Sequence, residues 1–342
     1  MRSVSLALIV AFLVSGVECA RGDDTGIITI QEENDFFTPD NRDRHYTQGA
    51  QIGYLSPELA PGGLASAMDW LGATLPIFGE GETTRSRRFH VFAGQEIFTP
   101  QNKDLEDPDP NDRPYAGWLN VGIGLIQDTD QQTLEHLEIQ LGIVGPASLA
   151  KQTQNNFHLA IDDPMSRGWG FQLSNEPTVN FYYDYHRRFI EDLGGAISAD
   201  VIPAAGAAVG NAFDYLSLGA RARIGQNLRA DYGPPHITPG PSGIEYFNRD
   251  YLSSASLWGW YVFVGSEGRA VAHNIFLDGN SFVSSRSVPR RPLVGDLEAG
   301  AMAFYSDWFR LSYTYLNRSD EFYGQHNADN YGAIMVSFRA PF

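Results

Sequence analysis

His136-Leu137-Glu138-Ile139-Gln140-Leu141-Gly142-Ile143 alternates without a slip. Successive side chains of an extended chain point to opposite faces. Leu137, Ile139, Leu141 and Ile143 therefore share one face, and His136, Glu138 and Gln140 share the other. The same pattern recurs. Leu119, Val121, Ile123 and Leu125 oppose Asn120, Gly122 and Gly124. Leu216, Leu218, Ala220 and Ala222 oppose Ser217, Gly219, Arg221 and Arg223, and Phe309, Leu311, Tyr313 and Tyr315 oppose Arg310, Ser312 and Thr314. This is all-β patterning, and alternation alone suits both a soluble sandwich with its apolar face inward and a membrane barrel with that face outward.

Two further features favour the barrel. At the N-terminus, Arg2 is followed by an apolar run from Val4 to Val14 and small residues around Gly16 to Ala20, the pattern of a secretory signal peptide over residues 1–20. Cys19 as a lipoprotein cysteine is disfavoured by Glu18 before it. The remaining chain, 21–342, then has no cysteine and must hold itself by packing or sheet closure. At the other end, Ile334, Val336, Phe338, Ala340 and the terminal Phe342 share one face. A closing strand with a final outward aromatic resembles the assembly signal of bacterial outer-membrane barrels, which makes the barrel-assembly machinery an expected partner through Phe342. The 13% aromatic content and 35 glycines agree with a barrel. A net charge of −17 excludes a nucleic-acid partner, since nothing would neutralise phosphates, and suits a surface among cation-bridged lipids.

About twelve strands are expected, an even number as closure requires: 26–35, 46–55, 87–98, 116–127, 133–144, 176–190, 195–206, 213–225, 257–273, 292–305, 307–317 and 330–342. With both termini periplasmic, the outward loops are 36–45, 99–115, 145–175, 207–212, 274–291 and 318–329. Connections 56–86 and 226–256 are long for periplasmic turns, so they carry extra structure or the count slips there.

Four stretches carry candidate chemistry, all at the outer rim. Glu33-Asn34-Asp35, with Thr47 at the start of the paired strand, offers the hard oxygen donors that calcium takes; Asn and Asp are also ordinary turn formers. Gly94-Gln95-Glu96 leads into an acidic loop, Asp104 to Asp112, then Asp112-Arg113 as a loop-fixing pair and Tyr115 and Trp118 as aromatic-belt anchors. Residues 145–158 form the one convincing helix, started by Pro146 and Ser148, with Lys151, Gln154 and His158 on one polar face. His158 is a candidate general base with Gln154 able to orient it, or a structural histidine. Glu176 either ligates a cation or caps a strand top. No Gly-x-Ser-x-Gly elbow or His-Glu-x-x-His is present, so hydrolysis here would need activated water.

Taken in order, Glu33-Asn34-Asp35, Tyr46-Thr47-x-Gly49, Gly94-Gln95 with Thr99-Pro100, Asp112-Arg113-Pro114-Tyr115-Ala116-Gly117, Gly145-Pro146-x-Ser148 with Gln154 and His158, Gly168-Trp169, Gln172-Leu173 and Asn175-Glu176-Pro177, and Asn274-x-x-Leu277-Asp278-Gly279 resemble the lipid A 3'-O-deacylase family of LpxR type, from about residue 25 to 342. The resemblance implies a twelve-stranded outer-membrane barrel that hydrolyses the 3'-linked acyl ester of lipid A, with lipopolysaccharide as substrate and Ca2+ as cofactor. Asn34 and Asp35 would help hold calcium, Glu176 being the other candidate ligand, Thr47 would support the site and His158 would activate water, a logic similar to that of secreted phospholipases A2. One departure is that the family's basic groove residue near the second motif reads Gln95-Glu96 here, with Lys103 seven residues further on. The alternatives are an outer-membrane phospholipase of similar mechanism and a non-catalytic barrel or channel.

Overall fold

The computed structural model describes residues 25–38, 44–78, 85–162, 164–237, 244–252 and 256–341. The signal-peptide reading of 1–20 and the terminal Phe342 lie outside them. Within a bilayer every backbone N–H and C=O must find a partner in the protein, so a sheet crossing it must close on itself. It does. The wall runs through β1 (Thr25–Asn34), β2 (His45–Leu55), β3 (Arg85–Thr99), β4 (Ala116–Thr129), β5 (Thr133–Val144) and β6 (Glu176–Arg187). After a short β7 (Phe189–Gly194), it continues through β8 (Ile197–Gly210), β9 (Phe213–Gln226), β10 (Trp258–Asn274), β11 (Leu293–Tyr305), β12 (Phe309–Arg318) and β13 (Asp329–Pro341). Neighbours pair antiparallel, β13 returns to β1, and β6 pairs with β8 from Asn180↔Gly210 to His186↔Ala204. Twelve strands thus form the closed wall.

The thirteenth, β7, continues the line of β6 alongside the start of β8. A single strand over 176–190 was expected; Arg188 breaks it, because its buried guanidinium turns inward to the carbonyls of Gln131, Arg229 and Asp231. Gly194 and Gly195, both at positive φ, make the hairpin back to β8.

The alternating faces sort as membrane and lumen. Leu216, Leu218, Val264 and Leu297 are exposed on the outside, Leu218 at 71%. Inside, the lumen is filled rather than open. Connection 227–257 does carry extra structure: Leu228, Ala230, Tyr232, Ile244, Tyr246 and Phe247 fold into the periplasmic half and pack on Ile126, Ile202, Tyr261, Phe263 and Phe304 of the wall. At the outer half a one-turn helix, α3 (Ile275–Asp278), drives Phe276 into the lumen, stacked on Phe98 with ring centroids 4.2 Å apart. Between these apolar lids lie buried ion pairs and a cavity of about 110 Å³. Trp118, expected in the aromatic belt, belongs to the outer lid instead, and its indole N–H donates to Thr178. Exposed Trp258, Tyr305, Trp308 and Phe309 supply aromatic anchors at the periplasmic end.

The other long connection holds a helix absent from the sequence expectation, α1 (Gly63–Thr74), so the helix beginning near 146 is not the only long one. Its Ala65 and Met68 pack on Tyr54, Phe89 and Val91 on the membrane-facing side of the wall, and Arg87 clasps it through Asp69 at 2.7 Å. The helix carries one charge and no side-chain cap, so neither polar periodicity nor start signal marks it.

The plug is latched by charge. Arg223 of β9 pairs with Asp200 of β8 at 2.6 Å and with Asp231 of the plug at 2.5 Å, while Tyr232 and Tyr246 donate to Asp128 at 2.9 and 3.0 Å. Removing one partner of such a buried set leaves uncompensated charge, a loss of about 3–5 kcal/mol. Arg223→Ala should therefore lower the urea midpoint of the folded barrel in detergent micelles by that order. Leu218→Ala, on the detergent-covered face, should change the unfolding free energy obtained from that midpoint by less than about 1.5 kcal/mol; equal effects of the two would remove the latch.

Candidate active site

Ile28 and Ile30 of β1 point to the membrane, and the same row continues through Glu32 to Asn34 at the top. There the chain turns. The Asn34 side chain caps a 3-10 turn, Asp35–Phe37, by accepting from the Phe36 N–H at 2.8 Å. Asp35 is buried and accepts from the Arg44 N–H at 2.8 Å. Burial pushes its carboxyl up to about 7, against the pull of the Arg44 N–H and of the Lys103 ammonium. A carboxylate this desolvated gains from any cation placed against it. Thr47 sits at a bulge in β2, where the register slips between Tyr46 and Gln48, and its hydroxyl meets that of Thr99 at 2.8 Å.

The second half of the site comes from the loop after β5. Gly145 and a 3-10 turn, Pro146–Ser148, lead into α2 (Ala150–Ile161). The helix docks on the membrane-facing side of β3 and β4. Gln95 donates to the Ser148 carbonyl at 2.6 Å, and a Cβ at Gly117 would stand 2.1 Å from that of Ala150, so only glycine admits the helix here. Ile97, Tyr115, Ala150 and Trp169 close the contact. Tyr115 is accordingly buried beneath the loops rather than anchored in a belt.

Ala150, Gln154 and His158 lie one turn apart and all face the wall. Lys151 shares the expected helical spacing but is exposed, so the polar face reduces to Gln154 and His158. His158 Nδ1 lies 2.6 Å from the Pro164 carbonyl. A carbonyl only accepts, so Nδ1 carries a proton, and in the neutral imidazole Nε2 then holds the lone pair, the tautomer a general base requires. The orienting group is Pro164. Gln154 spends its carbonyl oxygen on the Trp169 indole at 3.0 Å, while its buried Nε2 has no hydrogen-bond partner among the described residues.

Strand spacing decides which candidates meet. Adjacent strands are about 4.8 Å apart, so Asn34 on β1, Thr47 on β2 and the start of the helix over β3 and β4 span roughly 14 Å along the wall. Glu176 opens β6, five strands from β1 and roughly 24 Å round the wall. Its carboxylate takes the Ser281 N–H at 2.8 Å and the amides of Asn280 and Asn211 at 3.1 and 3.2 Å, fastening two loops. The structure thus places Asn34, Asp35, Thr47 and the helix carrying His158 on the β1–β4 side of the barrel and gives Glu176 a clasping role elsewhere.

The second motif also resolves. Gln95 faces outward and holds the helix, while Glu96 faces the lumen and is buried there, so Glu96 does not occupy the groove. Lys103 couples electrostatically to Asp35 and brings a cation to the groove from the next loop. Asp112 and Arg113 do not pair through their side chains: Arg113 goes to Glu321 at 3.2 Å and Asp112 lies 3.6 Å from His45 Nε2. His45 Nδ1 in turn meets Asp329 at 2.8 Å. This network ties three loops around the Asp35 turn across 284 residues of sequence, which no local pattern could signal. The same holds for Pro164, whose role rests on a backbone carbonyl that any residue could supply.

A family model described as "Outer membrane protein LpxR" matches residues 6–340. Among solved structures, LpxR from Salmonella typhimurium superposes with a TM-score of 0.72 at 18% identity, over 91% of this chain and 99% of that one. The β domain of the Bordetella autotransporter BrkA reaches a TM-score of 0.43 at 10% identity, covering 94% of this chain and 100% of that chain. No curated protein matches. The family match spans nearly the whole chain and the Salmonella protein shares its fold. The chain is therefore an outer-membrane protein of the LpxR family.

Proposed function

We propose that this protein hydrolyses the 3'-linked acyl ester of lipid A in the outer leaflet, with His158 as general base and calcium at the Asn34–Asp35 turn. The observation that carries this reading is the placement of His158. It is a buried histidine with its Nδ1 proton committed to Pro164, on a helix docked against the membrane-facing rim of a barrel. A lumenal site would not meet an acyl chain; this one lies on the membrane-facing side of the wall.

The residues of the turn fit calcium by donor chemistry. An amide oxygen, a buried carboxylate and nearby hydroxyls are hard oxygen ligands, with no thiolate or imidazole among them. Calcium bound there would supply positive charge to the ester carbonyl as it becomes an oxyanion. His158 Nε2 takes a proton from water, and the resulting hydroxide adds to the carbonyl carbon. Collapse breaks the bond to the sugar oxygen, which recovers the proton from Nε2, leaving a free fatty acid and a hydroxyl. The unpartnered Nε2 of Gln154 is positioned one turn from His158 to donate a hydrogen bond to the substrate. Lys103 offers its charge to an anionic headgroup beside the same turn. The filled lumen supports an enzyme over a channel, since both ends are closed by packed aromatics among the described residues.

Mass spectrometry of lipid A from cells expressing the protein tests this directly. The expected result is loss of the mass of the 3'-linked acyl unit. General-base help is typically worth about 10²–10⁴ in rate, so His158→Ala should reduce turnover by that factor while the barrel still folds. Chelation of calcium should abolish turnover, with recovery on readdition; activity that survives chelation sinks the metal half of the reading. Gly117→Val should also depress activity by undocking the helix, with the heat-modifiable gel mobility of the folded barrel retained. Unchanged lipid A in the presence of folded protein would turn the reading to phospholipids, and unchanged phospholipids to a non-catalytic barrel.

A further inference from the structure

The polar face of β5 points into the lumen, away from the site just described. There His136 and Glu138 meet His90 of β3 across β4. Register places His90, Gly124 and Glu138 in one row over three strands, with His136 on the diagonal. One Glu138 carboxylate oxygen lies 2.7 Å from His90 Nε2 and 3.3 Å from His136 Nε2. The imidazole rings are 4.8 Å apart between centroids. All three side chains are more than nine-tenths buried.

Gly124 makes room for them. A Cβ there would stand 2.4 Å from His136 Nε2 and 2.6 Å from His90 Cε1, so any other residue would push the two rings off this spot. The hydrogen bonding is incomplete. Among the described residues, His90 Nδ1 and the Oε1 of the neighbouring Gln140 are buried with no hydrogen-bond partner, and His136 Nε2 has only the 3.3 Å approach of Glu138. A buried polar atom left unpaired is destabilising, so unpaired atoms gathered in one cluster point to a ligand site.

We infer that His90, His136 and Glu138 form a lumenal binding site for a zinc-class divalent cation. The three ligand atoms lie within 4.8 Å of one another. Zinc–ligand bonds of about 2.0–2.2 Å place tetrahedral ligands roughly 3.3 Å apart, so a shift of about 1 Å in the imidazoles closes the set. Two imidazoles and a single carboxylate suit zinc and its neighbours among the transition metals, whereas calcium takes oxygen. Asp184 lies 3.7 Å from the Nδ1 of His136, on the far side from the metal position, where an outer carboxylate orients a ligating histidine. The adjoining cavity of about 110 Å³ has room for water as the fourth ligand. The cation bridges β3 and β5 behind β4 and neutralises Glu138. Its site is separate from the proposed calcium turn, which lies on the other face of the wall.

The test uses the full chain, folded in detergent micelles and made without a polyhistidine tag, stripped with chelator and then titrated with Zn2+ alone. One zinc per chain is expected by elemental analysis after gel filtration. His136→Gln or His90→Gln should weaken binding by at least about 100-fold, more than the roughly 10-fold expected for the outer carboxylate variant Asp184→Asn. His158→Gln should leave it unchanged, and millimolar Ca2+ should not compete. Folded wild-type protein that retains no zinc overturns the site, as does undiminished binding in the His90→Gln/His136→Gln double variant. Should those variants fail to fold, Co2+ bound to wild-type protein decides: strong visible absorption of a four-coordinate nitrogen-containing site is expected, and the pale octahedral spectrum would overturn it.

Discussion

Everything in this molecule depends on one seam. A sheet in hydrocarbon cannot leave an edge, because each unpaired backbone group there costs several kcal/mol. The pairing of β6 with β8 completes the ring that β13 and β1 close on the other side. The seam is made despite an interruption, the inward turn of Arg188 between β6 and β7. β7 keeps the hydrogen-bonding line going on β8 after the break. Closure then divides every strand into a lipid row and a lumenal row, and all later chemistry inherits that division.

The lumenal row is rich in charge, which a protein-filled lumen of low dielectric accommodates only when the charges are paired. The chain answers with reciprocal pairing, such as Arg221 with Glu298 at 2.6 Å and Asp296 between Arg269 and Arg318 at 2.6 and 2.9 Å. His236 of the plug bridges Glu33 and Glu298 at 3.3 and 3.0 Å. Paired charges of this kind specify one arrangement more than they add stability, since desolvation offsets much of their attraction. Here they hold the folded-in connection in a single seat. The His90–His136–Glu138 cluster differs from these pairs in gathering two imidazoles about one carboxylate oxygen with no arginine among them.

The outer rim works differently. Its candidate catalytic groups are few and local, and what positions them is not. The turn carrying Asp35 is held through Arg44 and His45 to Asp329, and the helix carrying His158 is held by Gln95, by the absence of a side chain at Gly117, and by Trp169. A site built between a barrel wall and its loops places His158 on the membrane-facing side of the wall without opening the barrel.

Much of this was legible in the sequence, for a physical reason. Period-two alternation is local, and it marked the wall strands and the six outer loops closely, with one strand broken at Arg188. Asn34, Asp35, Thr47 and His158 stood out because each sits in a short motif whose residue types carry their own chemistry. What the sequence did not reveal depends on partners far away in the chain. Glu176 looked like a ligand until Asn211, Asn280 and Ser281 were found around it; Trp118 and Tyr115 looked like belt aromatics because alternation does not say which rows the loops will cover. Helix α1 carries a single charge and no capping side chain to betray it, and it is held by packing on the apolar wall. The opening stretch shows the boundary well. Its alternation alone made His136 and Glu138 neighbours on one face, but only barrel closure and the register through Gly124 brought His90 to them, because strand pairing joins residues that no sequence spacing relates.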